Sequence, residues 1–197
     1  KRTRGEFKRT RGTEGIARRQ KAGVRVEVIV VDTEKGVARA CEWLMGKSAI
    51  GFDTETRPAF RAGVTNKVAL LQLSGEGKCF LFRLCKMKLD KPIIKVLENN
   101  AIQKIGAAVH DDIKGLQALR HFRPGGFLDL QGIVGDWGIQ EKSVRKFSAI
   151  VMGVGISKAQ RLSNWEAARL TPAQMSYAAT DAWICLEVYK RLMAEPR

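Results

Sequence analysis

The sequence predicts an α/β domain with a mixed central sheet flanked by helices. Three observations predict it. Short apolar runs rich in valine, isoleucine and leucine alternate with stretches whose apolar residues recur at helical spacing. Two such runs, Val68–Leu73 and Cys79–Arg83, flank Gly75-Glu76-Gly77-Lys78 and read as an antiparallel hairpin. Helices and strands then alternate downstream, so hairpin and crossovers share one sheet. At 197 residues the chain has room for one domain with a sizeable core plus a tail.

Taken in order, Val24–Val31 alternates weakly and is valine-rich, as a strand requires. Asp32 or Thr33 caps a helix carrying Val37, Cys41, Leu44 and Met45 on one face, with Gly46 as its stop. The next strand is Ala49–Thr56, followed by a polar loop over 57–67 and the hairpin. Asp90 and Pro92 open a short helix through Leu97. Ile102–Gly106 is a short strand, and after Ala107-Ala108 a helix runs to about His121. Pro124-Gly125-Gly126 breaks it, Phe127-Leu128 is a last strand, and Asp129 caps a helix over Gln131–Trp137. Val144–Met152 is a further helix, Gly153–Trp165 a loop. The final helix begins at Thr171, where Thr171, Pro172 and Gln174 make a capping box with proline at the first helical position.

Composition narrows the functional classes. A 45% hydrophobic content excludes disorder throughout, and no apolar stretch approaches the ~20 residues of a membrane span. Cys41, Cys79, Cys85 and Cys185 make no C-x-x-C pair, which argues against structural zinc or a disulfide framework and for reduced thiols in an intracellular protein, cytoplasmic or nuclear. The formal net charge is +15. Residues 1–22 hold nine basic residues against Glu6 and Glu14 with almost no apolar pattern, so they read as a disordered basic arm ahead of a folded domain over 23–197. The chain opens with Lys1, which reads as a fragment or processed form. Such a charge fits a polyanionic partner, nucleic acid foremost, although a solubilising tail has the same composition. Gly153-Val154-Gly155 lacks the third glycine of a dinucleotide loop, and no phosphate-loop motif is present.

The chemistry concentrates in misplaced carboxylates. Asp53 and Glu55 end an apolar strand and, two residues apart, point to the same face, opposite Ile50, Phe52 and Thr54. Taken alone they read as an acidic pair solvated at a strand end, an ordinary arrangement. In the helix after Gly106, Val109, Ile113 and Leu116 define the buried stripe. Asp111 faces solvent, and Asp112 falls beside the stripe. In the last helix Tyr177, Asp181, Ile184, Val188 and Leu192 share one narrow stripe, which puts an aspartate among inward apolar residues one turn after a tyrosine. A helical tyrosine is ordinarily a packing residue; beside an inward aspartate it is also a site candidate. Four such carboxylates repel one another unless cations sit between them. A pair of divalent ions, Mg²⁺ or Mn²⁺, ~3.5–4 Å apart would resolve this and suits in-line attack on a phosphodiester.

Phe52-Asp53-Thr54-Glu55-Thr56, Val109-His110-Asp111-Asp112-Ile113 and Tyr177-Ala178-Ala179-Thr180-Asp181 together resemble the three exonuclease motifs of the DEDD superfamily. The Tyr-x-x-x-Asp form is that of its tyrosine subgroup, which includes ribonuclease D and the Werner-type exonuclease domain. Arg161-Leu162-Ser163-Asn164-Trp165 also resembles the segment preceding the third motif there. The resemblance spans about Val24 to Leu192. It implies a ribonuclease H-like fold and stepwise 3′→5′ hydrolysis of DNA or RNA to nucleoside 5′-monophosphates. It further implies that Asp53 bridges two metal ions, that Glu55 and Asp181 complete the first site, that Asp112 supports the second, and that Tyr177 positions the attacking water. The alternative reading is a non-catalytic nucleic-acid-binding module on the same fold.

Overall fold

A computed structural model describes residues 26–197; the basic arm expected over 1–22, and the first residues of the expected 24–31 strand, lie outside the described residues. The strands are β1 (Glu27–Val31), β2 (Ala49–Thr56), β3 (Val68–Ser74), β4 (Lys78–Arg83), β5 (Gln103–Gly106) and β6 (Phe127–Asp129). They form one sheet in the order β1-β4-β3-β2-β5-β6. The hairpin pairs β3 with β4, and β2 lies antiparallel to β3, with Asp53 opposite Gln72 and Glu55 opposite Leu70. β1 joins β4 in parallel, and β5 and β6 extend the other side in parallel. This is the mixed sheet the alternation of elements predicts.

Helices α1 (Glu34–Met45), α2 (Lys91–Glu98) and α3 (Val109–Leu119) cover one face. Thr33 and Asp90 cap the first two as expected, each accepting a backbone N–H at the helix start. Ile50, Phe52, Leu71, Leu73 and Phe82 meet Leu44, Ile93, Leu97 and Leu116 in the core of that face. The opposite face carries α4 (Leu130–Ile133), α5 (Val144–Met152) and α6 (Pro172–Ala194), packed through Ile105, Leu130, Phe147, Ile184 and Val188. The single helix expected over Gln131–Trp137 is instead α4 followed by a 3-10 turn at Val134–Trp137. Asp129 does start it, accepting the Gln131 N–H at 3.0 Å, and Gly138 at φ 76° ends it. Glycines at 132, 135 and 138 leave this stretch without enough helix-forming residues to hold the wider α spacing.

Lys104 shows how a charge is kept inside this fold. It is buried, and its Nζ donates to the Val96 carbonyl at 2.9 Å and the Asn99 carbonyl at 2.8 Å, closing the C-terminal end of α2. Burial lowers its pKa to about 8. Cys41, Cys79 and Cys185 are buried free thiols and Cys85 is exposed. No helix among the described residues is long and apolar enough to cross a membrane.

One contact places α6. A Cβ at Gly51 would collide with the Ala182 carbonyl group, whose carbon would be only 2.7 Å away. The backbone of α6 therefore crosses β2 at a distance that only glycine at position 51 permits. Asp53 lies two residues beyond Gly51 on the same face, and Asp181 immediately precedes Ala182.

Candidate active site

The alternation of β2 decides which groups meet. Ile50 and Phe52 go into the core beneath α1–α3, while Gly51, Asp53 and Glu55 turn toward α6. The inward stripe of α6 brings Asp181 over them. Asp53, Glu55 and Asp181 each present a carboxylate oxygen, and these three oxygens lie within 4.8 Å of one another. All three residues are half-buried.

Asp112 arrives from the other face. Its helix starts sharply: Ala108 adopts a left-handed conformation at φ 55°, and the N–H groups of Ala108 and Val109 donate to the Asp129 carboxylate at 3.0 and 3.2 Å. From there the half-buried Asp112 meets Thr54, whose hydroxyl donates to Asp112 Oδ1. Asp112 is not one of the three clustered carboxylates. It borders a pocket of about 420 Å³ lined also by Thr54, Thr56, Thr65, Asn66 and Lys67.

The electrostatics are those of uncompensated negative charge. Burial, then the charges of Asp181, Glu55 and Asp112, push Asp53 well above the usual carboxylate range. Burial, then Asp181 and Asp112, raise Glu55 to about 9. Burial raises Asp181 to about 7, against the pull of the Arg145 guanidinium, and Asp112 to about 6, against its bond from Thr54. Among the described residues no ion pair neutralises any of them. The polar support is slight: the Thr54 N–H donates to Asp53 at 2.9 Å, and Gln72 Nε2 reaches Glu55 only at 3.5 Å. Oxygen-only donors, clustered and unpaired in a low-dielectric place, fit a hard divalent cation.

Tyr177 lies one turn before Asp181, buried, with its ring tilted against Trp165 at a centroid distance of 5.9 Å. Burial, then Asp181 and Glu55, raise its phenol beyond the ordinary tyrosine value. It closes one side of a pocket of about 280 Å³ whose other walls include Gly155, Ile156, Ser157, Gln160 and Thr180. The 153–165 loop is fastened to the start of α6. Gln174 completes the capping box with Thr171 and also donates to Ser163 Oγ at 2.8 Å and the Asn164 carbonyl at 3.1 Å. Trp165 is fully buried, and the buried Arg83 donates to the carbonyls of Ala167 and Ala168.

Asp53, Glu55 and Asp181 thus converge and Tyr177 borders the same place, while Asp112 is linked to it through Thr54. Sequence reasoning missed Gln72, Arg145 and the second task of Asp129, and it gave Thr54 no task beyond its face of the strand. Only Thr54 carried a signal: the alternation that turns Asp53 toward α6 turns Thr54 toward α3.

Residues 28–196 match the model of a protein family described as 3′-5′ exonuclease. The chain is 35% identical over 147 residues to exonuclease 3′-5′ domain-containing protein 2 of Drosophila melanogaster, covering 73% of this chain and 25% of that protein. It is 33% identical over 151 residues to the bifunctional 3′-5′ exonuclease/ATP-dependent helicase WRN of Mus musculus, covering 73% of this chain and 11% of the relative. It therefore spans a quarter or less of these relatives' length. The fold is similar to the EXO domain of Aedes aegypti Nibbler, with a TM-score of 0.80 at 23% identity over 88% of this chain and 91% of that one. It is also similar to Escherichia coli RNase D, with a TM-score of 0.75 at 23% identity over 87% and 45%.

Proposed function

The chain belongs to the 3′-5′ exonuclease family, and from that premise we propose that it removes nucleoside 5′-monophosphates from the 3′ end of DNA or RNA in a divalent-metal-dependent reaction. The observation that carries the reading is the convergence of Asp53 and Glu55 with Asp181, more than a hundred residues away in sequence, to within 4.8 Å. We assign this activity to residues 23–197 and place the chain in the tyrosine subgroup of the DEDD nucleases.

Asp53, Glu55 and Asp181 would hold one Mg²⁺ or Mn²⁺. Asp112, oriented by Thr54, would serve a second with Asp53. The chemistry supplied by the bound ions is a lowered water pKa and neutralisation of charge at the phosphodiester. Tyr177, kept protonated by burial and by the acidic groups around it, orients the attacking water as a hydrogen-bond partner. The pocket between Tyr177 and the 153–165 loop receives the terminal nucleotide and limits water around the reacting bond. The excess of basic residues draws the polyanion toward an otherwise acidic cleft.

A binding-only module gives no reason for unpaired carboxylates facing a polyanion. Matched DNA and RNA oligonucleotides labelled at the 5′ end, incubated with Mg²⁺, Mn²⁺ or chelator, test the reading. A ladder shortening from the 3′ end with metal and none in chelator is expected. No shortening of either polymer with either metal refutes it and favours the binding module.

A further inference from the structure

Arg145 has a place in the chain with no local explanation. Arg145 is the second residue of α5, where the helix dipole disfavours positive charge. Its side chain is half-buried. Nη2 donates to the Ser157 carbonyl at 3.3 Å, while Nη1 is buried with no hydrogen-bond partner. A buried guanidinium N–H without an acceptor is costly, and arginine satisfies several donors readily wherever acceptors are within reach. Arg145 forms no ion pair among the described residues. Yet it is near enough to the active site for its charge to oppose the raised pKa values of both Asp181 and Tyr177. Ser157, which anchors the guanidinium, lines the same pocket as Tyr177. A buried donor without an acceptor, on a guanidinium fastened to a residue that lines that pocket, is arranged for an anion seated in the pocket.

We propose that Arg145 is a substrate contact: Nη1 donates to a non-bridging oxygen of the phosphate that is cut, on the side of the pocket bounded by Tyr177 and Ser157. This rests on the exonuclease reading. Arginine suits the task because its planar fork keeps Nη2 on Ser157 while Nη1 takes the phosphate. The contact strengthens as negative charge accumulates on the phosphate, so it acts on turnover more than on binding of intact substrate.

The test uses the whole chain with Mn²⁺ and the variants Arg145→Ala and Arg145→Lys. Calorimetric binding of AMP and adenosine, and of dAMP and deoxyadenosine, isolates the phosphate contribution. Arg145→Ala should weaken binding of the monophosphates about 10- to 100-fold and leave the nucleosides unchanged. On a 5′-labelled oligonucleotide its kcat should fall about 10²–10³-fold with a smaller change in KM, and added guanidinium ion should restore part of the rate. Arg145→Lys should fall between, since it keeps the charge and loses the fork. A purely structural role would instead lower the melting temperature and weaken nucleosides and monophosphates alike, without rescue. Arg145→Ala that binds AMP and cuts like the wild type overturns the assignment of Arg145 alone. A wild type that binds AMP but releases no mononucleotide overturns the exonuclease reading, and with it the identity of the bound phosphate as the one cut.

Discussion

Replacing Asp181 by asparagine should stabilise the metal-free protein while weakening its response to metal. Burial raises Asp181 from 3.8 to about 7, with Arg145 pulling the other way. Each tenfold change in proton affinity is worth about 1.4 kcal/mol, so holding this carboxylate ionised at pH 8 costs the fold about 4 kcal/mol. The introduced asparagine would keep the volume but remain a buried amide, and Asp53 and Glu55 still repel each other. A net gain of about 1–2 kcal/mol is therefore expected, or about 3–6 °C in Tm for a chain of this size. The sign with pH follows from the raised value. A carboxyl group that binds its proton more tightly when folded withdraws stability as pH rises from 3.8 through about 7, and withdraws none below that window. Melts followed by circular dichroism in chelator should show Asp181→Asn above wild type at pH 8, with the gap closed or reversed at pH 5, where the raised value withdraws about 2–3 kcal/mol less from the wild type. With millimolar Mn²⁺ the order should reverse, because the wild type gains more from binding. An Asp181→Asn variant that melts at or below wild type in chelator at pH 8 refutes the reasoning.

Gly51→Ala would drive a methyl group into the Ala182 carbonyl and force α6 off β2. It should cost about 2–4 kcal/mol by urea denaturation and remove hydrolysis in whatever protein still folds. Thr54→Val should leave Asp112 without its hydroxyl donor, lowering turnover about 10-fold and raising the Mg²⁺ concentration at half-maximal rate, with little change in urea midpoint. Lys104→Met should strand the carbonyls of Val96 and Asn99 at the end of α2 and cost about 1–3 kcal/mol in urea. Its kcat should stay at the wild-type value, since Lys104 is not among the groups that meet at the carboxylates.

The sequence discloses elements more readily than distances. The bounds of β2 and α5, and the capping box at Thr171 and Gln174, follow from local rules: an uncharged run that ends in carboxylates, periodic apolar positions, a side chain that can cap. The inward direction of Asp181 is equally local, because Ile184, Val188 and Leu192 fix the stripe. What periodicity does not show is which face of the sheet each helix covers. Asp112 and Asp181 are both inward on their own helices, yet α3 and α6 lie on opposite faces, so Asp112 comes to Thr54 while Asp181 comes to Asp53 and Glu55. Gly51 is silent in sequence for the same reason: its meaning depends on a backbone 131 positions later. The 3-10 turn at Val134–Trp137 shows that apolar spacing survives a change of helix type, which only its glycines hint at.

The way the 153–165 loop is tied down separates two things that could have been coupled. Gly153 at φ 69° turns it out of α5, Arg145 holds it at Ser157, and Gln174 holds it again at Ser163 and Asn164. Between these clamps Lys158 and Ala159 stand exposed, and no carboxylate of the cluster is anchored to them. The loop is thus an exchangeable cassette mounted on a fixed chassis. Shortening, lengthening or recharging its tip would retune which chain ends are admitted while leaving the acidic machinery in register. A nuclease built this way can diversify its diet without relearning its chemistry.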